Sequence, residues 1–138
     1  MKVISEQLVS AWELVKHGSP AAGIDGITVE LFGGIAQEQI ELMRRQLQRE
    51  CYVASPAKGF YLAKPNGGQR LIGISTVRDR ILQRYLLQLI YPKLESVYSE
   101  VCHAYRLGYS IHTAVARVME AYRYQPAWVV KADIEQFF

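Results

Sequence analysis

Lys64-Pro65-Asn66-Gly67-Gly68-Gln69-Arg70 sets a cation on each side of a tight turn, and Arg78, Arg80 and Arg84 follow within fourteen residues. The flanking runs Phe60-Tyr61-Leu62-Ala63 and Leu71-Ile72-Gly73-Ile74 are apolar, and Asn-Gly between two such runs is a strong hairpin signal. Lys64 and Arg70 are therefore expected to face each other near a hairpin tip. Such a pair suits a polyphosphate or a nucleic-acid backbone, because Arg offers a planar two-pronged donor and Lys a mobile point charge. The alternative at this level is a hairpin with solvated surface charges.

Charge distribution supports a polyanion-binding face. The 138-residue chain carries a formal charge of only +3, yet residues 58 to 93 hold seven basic residues against Asp79 alone, and the remainder is net negative. Concentrated positive charge in a near-neutral chain is the pattern of a surface that meets nucleic acid or phosphate. Cys51 and Cys102 lie far apart, and His17, His103 and His112 share no metal-ligand spacing, so no zinc site or disulfide framework is expected. Two isolated cysteines fit a reducing, cytoplasmic setting. Glu6 and Glu13 are at odds with a secretory leader, and the apolar run from Tyr85 to Pro92 is too short to span a bilayer.

The elements that must position these residues follow from periodicity. Residues 3 to 16 place Ile4, Leu8, Ala11, Trp12 and Val15 on one helical face, and 35 to 50 repeat the pattern with Ile35, Ile40, Met43 and Leu47. After the hairpin, Thr76 is expected to cap a helix with Asp79 at its third position. Its face is Val77, Ile81, Leu82, Tyr85, Leu86, Leu89 and Ile90, and Pro92 should end or bend it before a short helical piece over 93 to 100. A further helix should start at Ser110, with Ile111, Ala114, Val115, Val118, Met119 and Tyr122 on its apolar side. Residues 127 to 134, with Trp128-Val129-Val130, read as a buried strand ended by Asp133. The expectation is one α+β domain over 1–138: helices packed with a β-hairpin, then a strand.

Four segments together resemble reverse transcriptases of the group II intron type. The hairpin, the Gly73-Ile74 pair and Thr76-Val77-Arg78-Asp79-Arg80 are similar to that family's first block. Cys102-His103-Ala104-Tyr105-Arg106-Leu107-Gly108-Tyr109-Ser110-Ile111-His112 resembles its next block, often Ser-Tyr-Gly-Phe-Arg-Pro-Gly-Arg-Ser-x-His. Lys131-Ala132-Asp133-Ile134-Glu135-Gln136-Phe137-Phe138 looks like the strand that bears the first catalytic aspartate. Ala22-Gly23-Ile24-Asp25-Gly26-Ile27-Thr28 is similar to an element of the N-terminal extension. The matches run in family order and cover nearly the whole chain.

The resemblance implies the fingers and the opening of the palm of an RNA-directed DNA polymerase, ending inside the catalytic strand. In that family Asp133 would be a Mg²⁺-binding catalytic carboxylate. Lys64 and Arg70 would hold the triphosphate of the incoming deoxynucleotide, and Phe138 would exclude a ribose 2′-hydroxyl. Ile72 and Gly73 would lie against the templating base, while Arg78, Arg80, Arg84 and Arg106 would contact the RNA template or the RNA/DNA duplex. Leu107 and Tyr109 depart from the family's Pro and Arg, so Tyr109 is expected to stack on a base instead. Ala63, Leu71 and Ser75 also replace prolines common in the first block. A two-metal polymerase needs several carboxylates; the family's Tyr-x-Asp-Asp turn is missing here and no Asp-Asp pair occurs. The isolated chain is therefore expected not to polymerise, and an unpaired strand at 128–134 to promote a homodimer. A non-catalytic RNA-binding module and a small protein-interaction domain are the competing readings.

Overall fold

The computed structural model describes residues 5–124 and 128–134. Helix α1 spans Ser5–Lys16 and α2 Val29–Gln48; strands β1, Lys58–Ala63, and β2, Gln69–Ile74, pair antiparallel; α3 spans Val77–Glu95 and α4 Ile111–Tyr122. The order is α+β, with the hairpin between helices. Within it the chain groups into two compact units, residues 1–92 and 93–138.

In the first unit the core forms largely from the faces that periodicity predicts, with Val29 and Phe32 added and Ile35, expected on the face, exposed. Leu8, Ala11, Trp12 and Val15 of α1 meet Val29, Phe32, Ile40 and Met43 of α2 and Val77, Ile81 and Tyr85 of α3. Trp12 and Phe32 pack with ring centroids 5.0 Å apart. Helix α2 begins six residues earlier than its pattern suggests. Gly33 and Gly34 weaken the helical signal there, but Thr28 caps the helix by accepting a 3.2 Å hydrogen bond from the Leu31 amide, and Val29 and Phe32 are buried. Burial of those two side chains outweighs the two glycines.

Helix α3 also differs from expectation at its far end. It passes through Pro92 and ends three residues later at Glu95, and no separate helical piece forms over 93–100. Leu86 and Ile90, expected on the core face, are exposed.

In the second unit α4 forms with Ser110 as its cap. Ser110 and Thr113 exchange side-chain-to-backbone bonds in a reciprocal box. None of its residues is buried, so the Ile111, Val115, Val118, Met119 and Tyr122 side is an apolar surface. Residues 128–134 form no strand, and Trp128, Val129, Val130 and Ile134 are exposed. This corrects the buried strand read from the sequence. A strand persists only with a hydrogen-bonding neighbour, and among the described residues the hairpin is the sole sheet. Also among the described residues, no helix is long and apolar enough to cross a membrane.

Candidate nucleic-acid interface

The turn between β1 and β2 takes a three-residue form. Gly67 donates to the Lys64 carbonyl at 3.1 Å and Lys64 to the Gly68 carbonyl at 3.1 Å, enclosing Pro65, Asn66 and Gly67. Pro65 presets the first turn residue, and Gly67 and Gly68 take φ values of +84° and +80° that a side chain disfavours. The ladder then pairs Leu62 with Arg70, Phe60 with Ile72 and Lys58 with Ile74. Lys64 and Arg70 are thus diagonal neighbours on one face, roughly 7–8 Å apart by the spacing of antiparallel strands. They do not stand directly opposite each other.

The pleat sorts the remaining hairpin side chains. Lys58, Phe60, Leu62, Lys64, Arg70, Ile72 and Ile74 share one face, while Tyr61, Leu71 and the Gly59–Gly73 pair lie on the other. Ile72 and Gly73, expected against one base, therefore point to opposite sides. No residue of either strand is fully buried: the cations and Phe60, Tyr61, Leu62 and Leu71 are exposed, while Ile72 and Ile74 are half-buried.

The arginines behind the hairpin have distinct surroundings. Arg78 donates to Gln46 Oε1 at 2.6 Å and lies over the Tyr52 ring, 5.5 Å from its centroid. Arg80 donates from Nη1 to the Ser19 carbonyl at 2.7 Å and from Nη2 to the Ala21 carbonyl at 2.6 Å. Burial pushes the Arg80 pKa downward, partly offset by Asp25. Both guanidinium groups are thereby engaged within the first unit. Arg84 is exposed and borders a cleft of about 350 Å³ with Leu14, Val15, Gly18, Ser19, Gln83 and Leu87.

The loop held by Arg80 contains the Gly23 to Thr28 segment. A Cβ on Gly23 would lie 2.6 Å from Thr76 Cα and 2.7 Å from Thr76 N, so only glycine allows this close crossing onto the start of α3. Asp25 Oδ1 accepts from the Ile27 amide at 3.1 Å, and Gly26 takes φ +71°, turning the chain toward the Thr28 cap. These contacts tie the segment to the start of α3 and to the cap of α2.

Asp79 was legible only as a helix-start residue and as the lone acid among seven cations. It is 4% exposed. Its Oδ1 accepts from the Tyr52 hydroxyl at 2.9 Å, and its Oδ2 from the Ser55 amide at 3.1 Å and the Thr76 hydroxyl at 2.7 Å. Burial, followed by the bond to Asp79, drives the Tyr52 hydroxyl well above the ordinary tyrosine pKa. Tyr52 and Ser55 gave no sequence signal, since they lie in an irregular stretch.

In the second unit Arg106 is the centre of the 95–110 loop. It donates to the Ser99 and Cys102 carbonyls and to Glu95, and its side chain is 7% exposed. The bond to Glu95 raises its pKa. It lies over the Tyr109 ring at 4.2 Å and the Tyr98 ring at 5.5 Å, and His103 meets the Tyr109 ring edge-on at 5.1 Å. One face of Tyr109 is thus occupied by Arg106. Asp133 is exposed, and its Oδ1 accepts from the Ile134 amide at 3.0 Å. Among the described residues no three His, Cys, Asp or Glu side chains cluster as metal ligands. Phe138 lies outside the described residues.

The chain is 28% identical over 129 residues to protein YkfC of Escherichia coli, covering 91% of this chain and 34% of YkfC. It is 29% identical over 126 residues to the group II intron-encoded protein LtrA of Lactococcus lactis, covering 88% of this chain and 20% of LtrA. This chain is a distant, partial relative of group II intron-encoded proteins. A 91 kDa protein in the cob intron of Schizosaccharomyces pombe is 23% identical over 125 residues, or 14% of its length. The chain therefore spans about a third or less of these relatives. No protein-family profile matches it.

Proposed function

We propose that this chain supplies the fingers and the opening of the palm of a group II intron-type reverse transcriptase, gripping template RNA and the triphosphate of an incoming deoxynucleotide. The observation that carries this reading is the exposed hairpin tip, where Lys64 and Arg70 share one pleated face. Arg70 would present its planar fork to phosphate oxygens and Lys64 a mobile charge, with Phe60, Leu62 and Ile72 beside them as an apolar floor. Arg84 is the arginine of α3 best placed to meet a nucleic-acid backbone. Arg78, Arg80 and Arg106 serve by holding the scaffold in shape.

In this reading Asp133 contributes one carboxylate to a Mg²⁺ site. The residues described here do not make such a site by themselves, because Mg²⁺ at a polymerase centre takes carboxylates from more than one segment. The proposed role of the chain is accordingly binding, with chemistry dependent on further carboxylates.

Fluorescence anisotropy with a primed RNA template across a salt series tests the reading. Wild type should bind with an affinity that falls steeply as salt rises, and Lys64→Ala/Arg70→Ala should weaken binding and flatten the log–log salt slope by about 1–2, from two lost phosphate contacts. Salt-independent binding would favour an apolar protein-interaction surface. An unchanged slope in the double variant would remove the hairpin from the interface. A bare RNA-binding module would behave like wild type here but would show no competition by deoxynucleoside triphosphate at Lys64 and Arg70.

A further inference from the structure

We propose that Asp79 is the positioning residue of the hairpin, fixing where Lys64 and Arg70 stand relative to the helices. The inference rests on the reading of Lys64 and Arg70 given above. Neither strand has a fully buried residue, and only Ile72 and Ile74 are half-buried, so immersion in the core holds the hairpin weakly. Its two legs carry much of its placement. Residues 52–55 lead into β1, and Thr76 follows β2 by two positions. A single carboxylate ties both legs: Tyr52 and Ser55 on the incoming side, Thr76 on the outgoing side, all bonded to Asp79 at 2.7–3.1 Å.

The chemistry suits a fixed joint. An ionised carboxylate only accepts hydrogen bonds, and bonds to it are shorter and stronger than neutral ones. Three donors from separate points of the chain over-determine its orientation. Thr76 also accepts from the Asp79 amide at 3.2 Å, so the joint is continuous with the first turn of α3. Arg78 extends it by lying over Tyr52 while bonding Gln46 of α2. The hairpin base is thus referenced to two helices through one buried acid.

Two variants test this. Asp79→Asn keeps the shape but replaces one acceptor oxygen with a donor, and Tyr52→Phe removes a single bond with little change in volume. Amide hydrogen exchange should quicken selectively over residues 52–74 in both, with amides of α1 and α2 unchanged. Affinity for the primed RNA template should fall several-fold in wild-type background. In the Lys64→Ala/Arg70→Ala background, Asp79→Asn should cost no further affinity, because a residue acting through those cations cannot act once they are gone. Additive losses, or exchange that quickens across α1 and α2 as well, would overturn positioning in favour of general destabilisation. If wild type shows no Lys64/Arg70-dependent binding, the functional reading fails, while the exchange pattern still decides whether Asp79 fixes the hairpin.

Discussion

Gly23 shows how a single residue carries a tertiary constraint. The Cα of Thr76 lies 2.6 Å from where its Cβ would be, and backbone cannot retreat as a flexible side chain would. Gly23→Ala is expected to destabilise the first unit by roughly 1–3 kcal/mol or more, read as a lower urea midpoint. Arg80 makes the complementary case. Its two bonds to the Ser19 and Ala21 carbonyls predict that Arg80→Ala costs roughly 1.5–3 kcal/mol while leaving the salt slope of RNA binding unaltered. A flatter slope in that variant would return Arg80 to the interface. Both residues were named in the sequence, Gly23 within the family-like 22–28 segment and Arg80 as a cation, but neither signal named its partner. Those partners are 53 and about 60 positions away, beyond the reach of any local pattern.

At the scale of elements, periodicity located the four helices among the described residues but misjudged edges and faces and expected a short helix over 93–100 that does not form. The α1 face is buried as spaced, since Leu8, Ala11, Trp12 and Val15 have α2 beside them. The same kind of spacing in α4 yields exposed side chains, because amphipathicity specifies an apolar side without supplying its partner. Helix α2 carries a local pH dependence. Hydrogen bonds from Arg44, then Arg45, lower the Glu41 pKa from 4.5 to about 2. Because the folded value lies below the unfolded one, its contribution is full above about pH 4.5 and disappears as pH falls through about 2. Thermal melts of wild type and Glu41→Gln should differ slightly above pH 4.5 and converge near pH 2. The difference should be small, as the pair faces solvent. The hairpin tip gives a sharper test: Gly67→Ala forces a side chain to φ +84° and should cost about 1–2 kcal/mol locally. Faster amide exchange across residues 58–74 would report it.

For the whole molecule, the proposed role divides binding from chemistry. Purified chain is expected to bind primed RNA yet give no template-dependent incorporation with Mg²⁺, and radiolabelled primer extension checks both statements together. Incorporation would show that the chemistry does not depend on carboxylates beyond those of this chain. Exposed Trp128, Val129 and Val130 further predict association that strengthens with concentration, which light scattering would detect and Trp128→Ser would reduce. By itself the sequence determined the helices, the hairpin, the caps at Thr76 and Ser110 and the cationic segment, because these follow from spacing and turn chemistry within a few residues. Only the tertiary structure decided which cations stay free and which become internal props, that Asp79 joins the two legs of the hairpin, and that 128–134 forms no strand. Those outcomes depend on what a side chain or backbone group meets from far along the chain, and hydrogen bonds and burial take their energy from that partner.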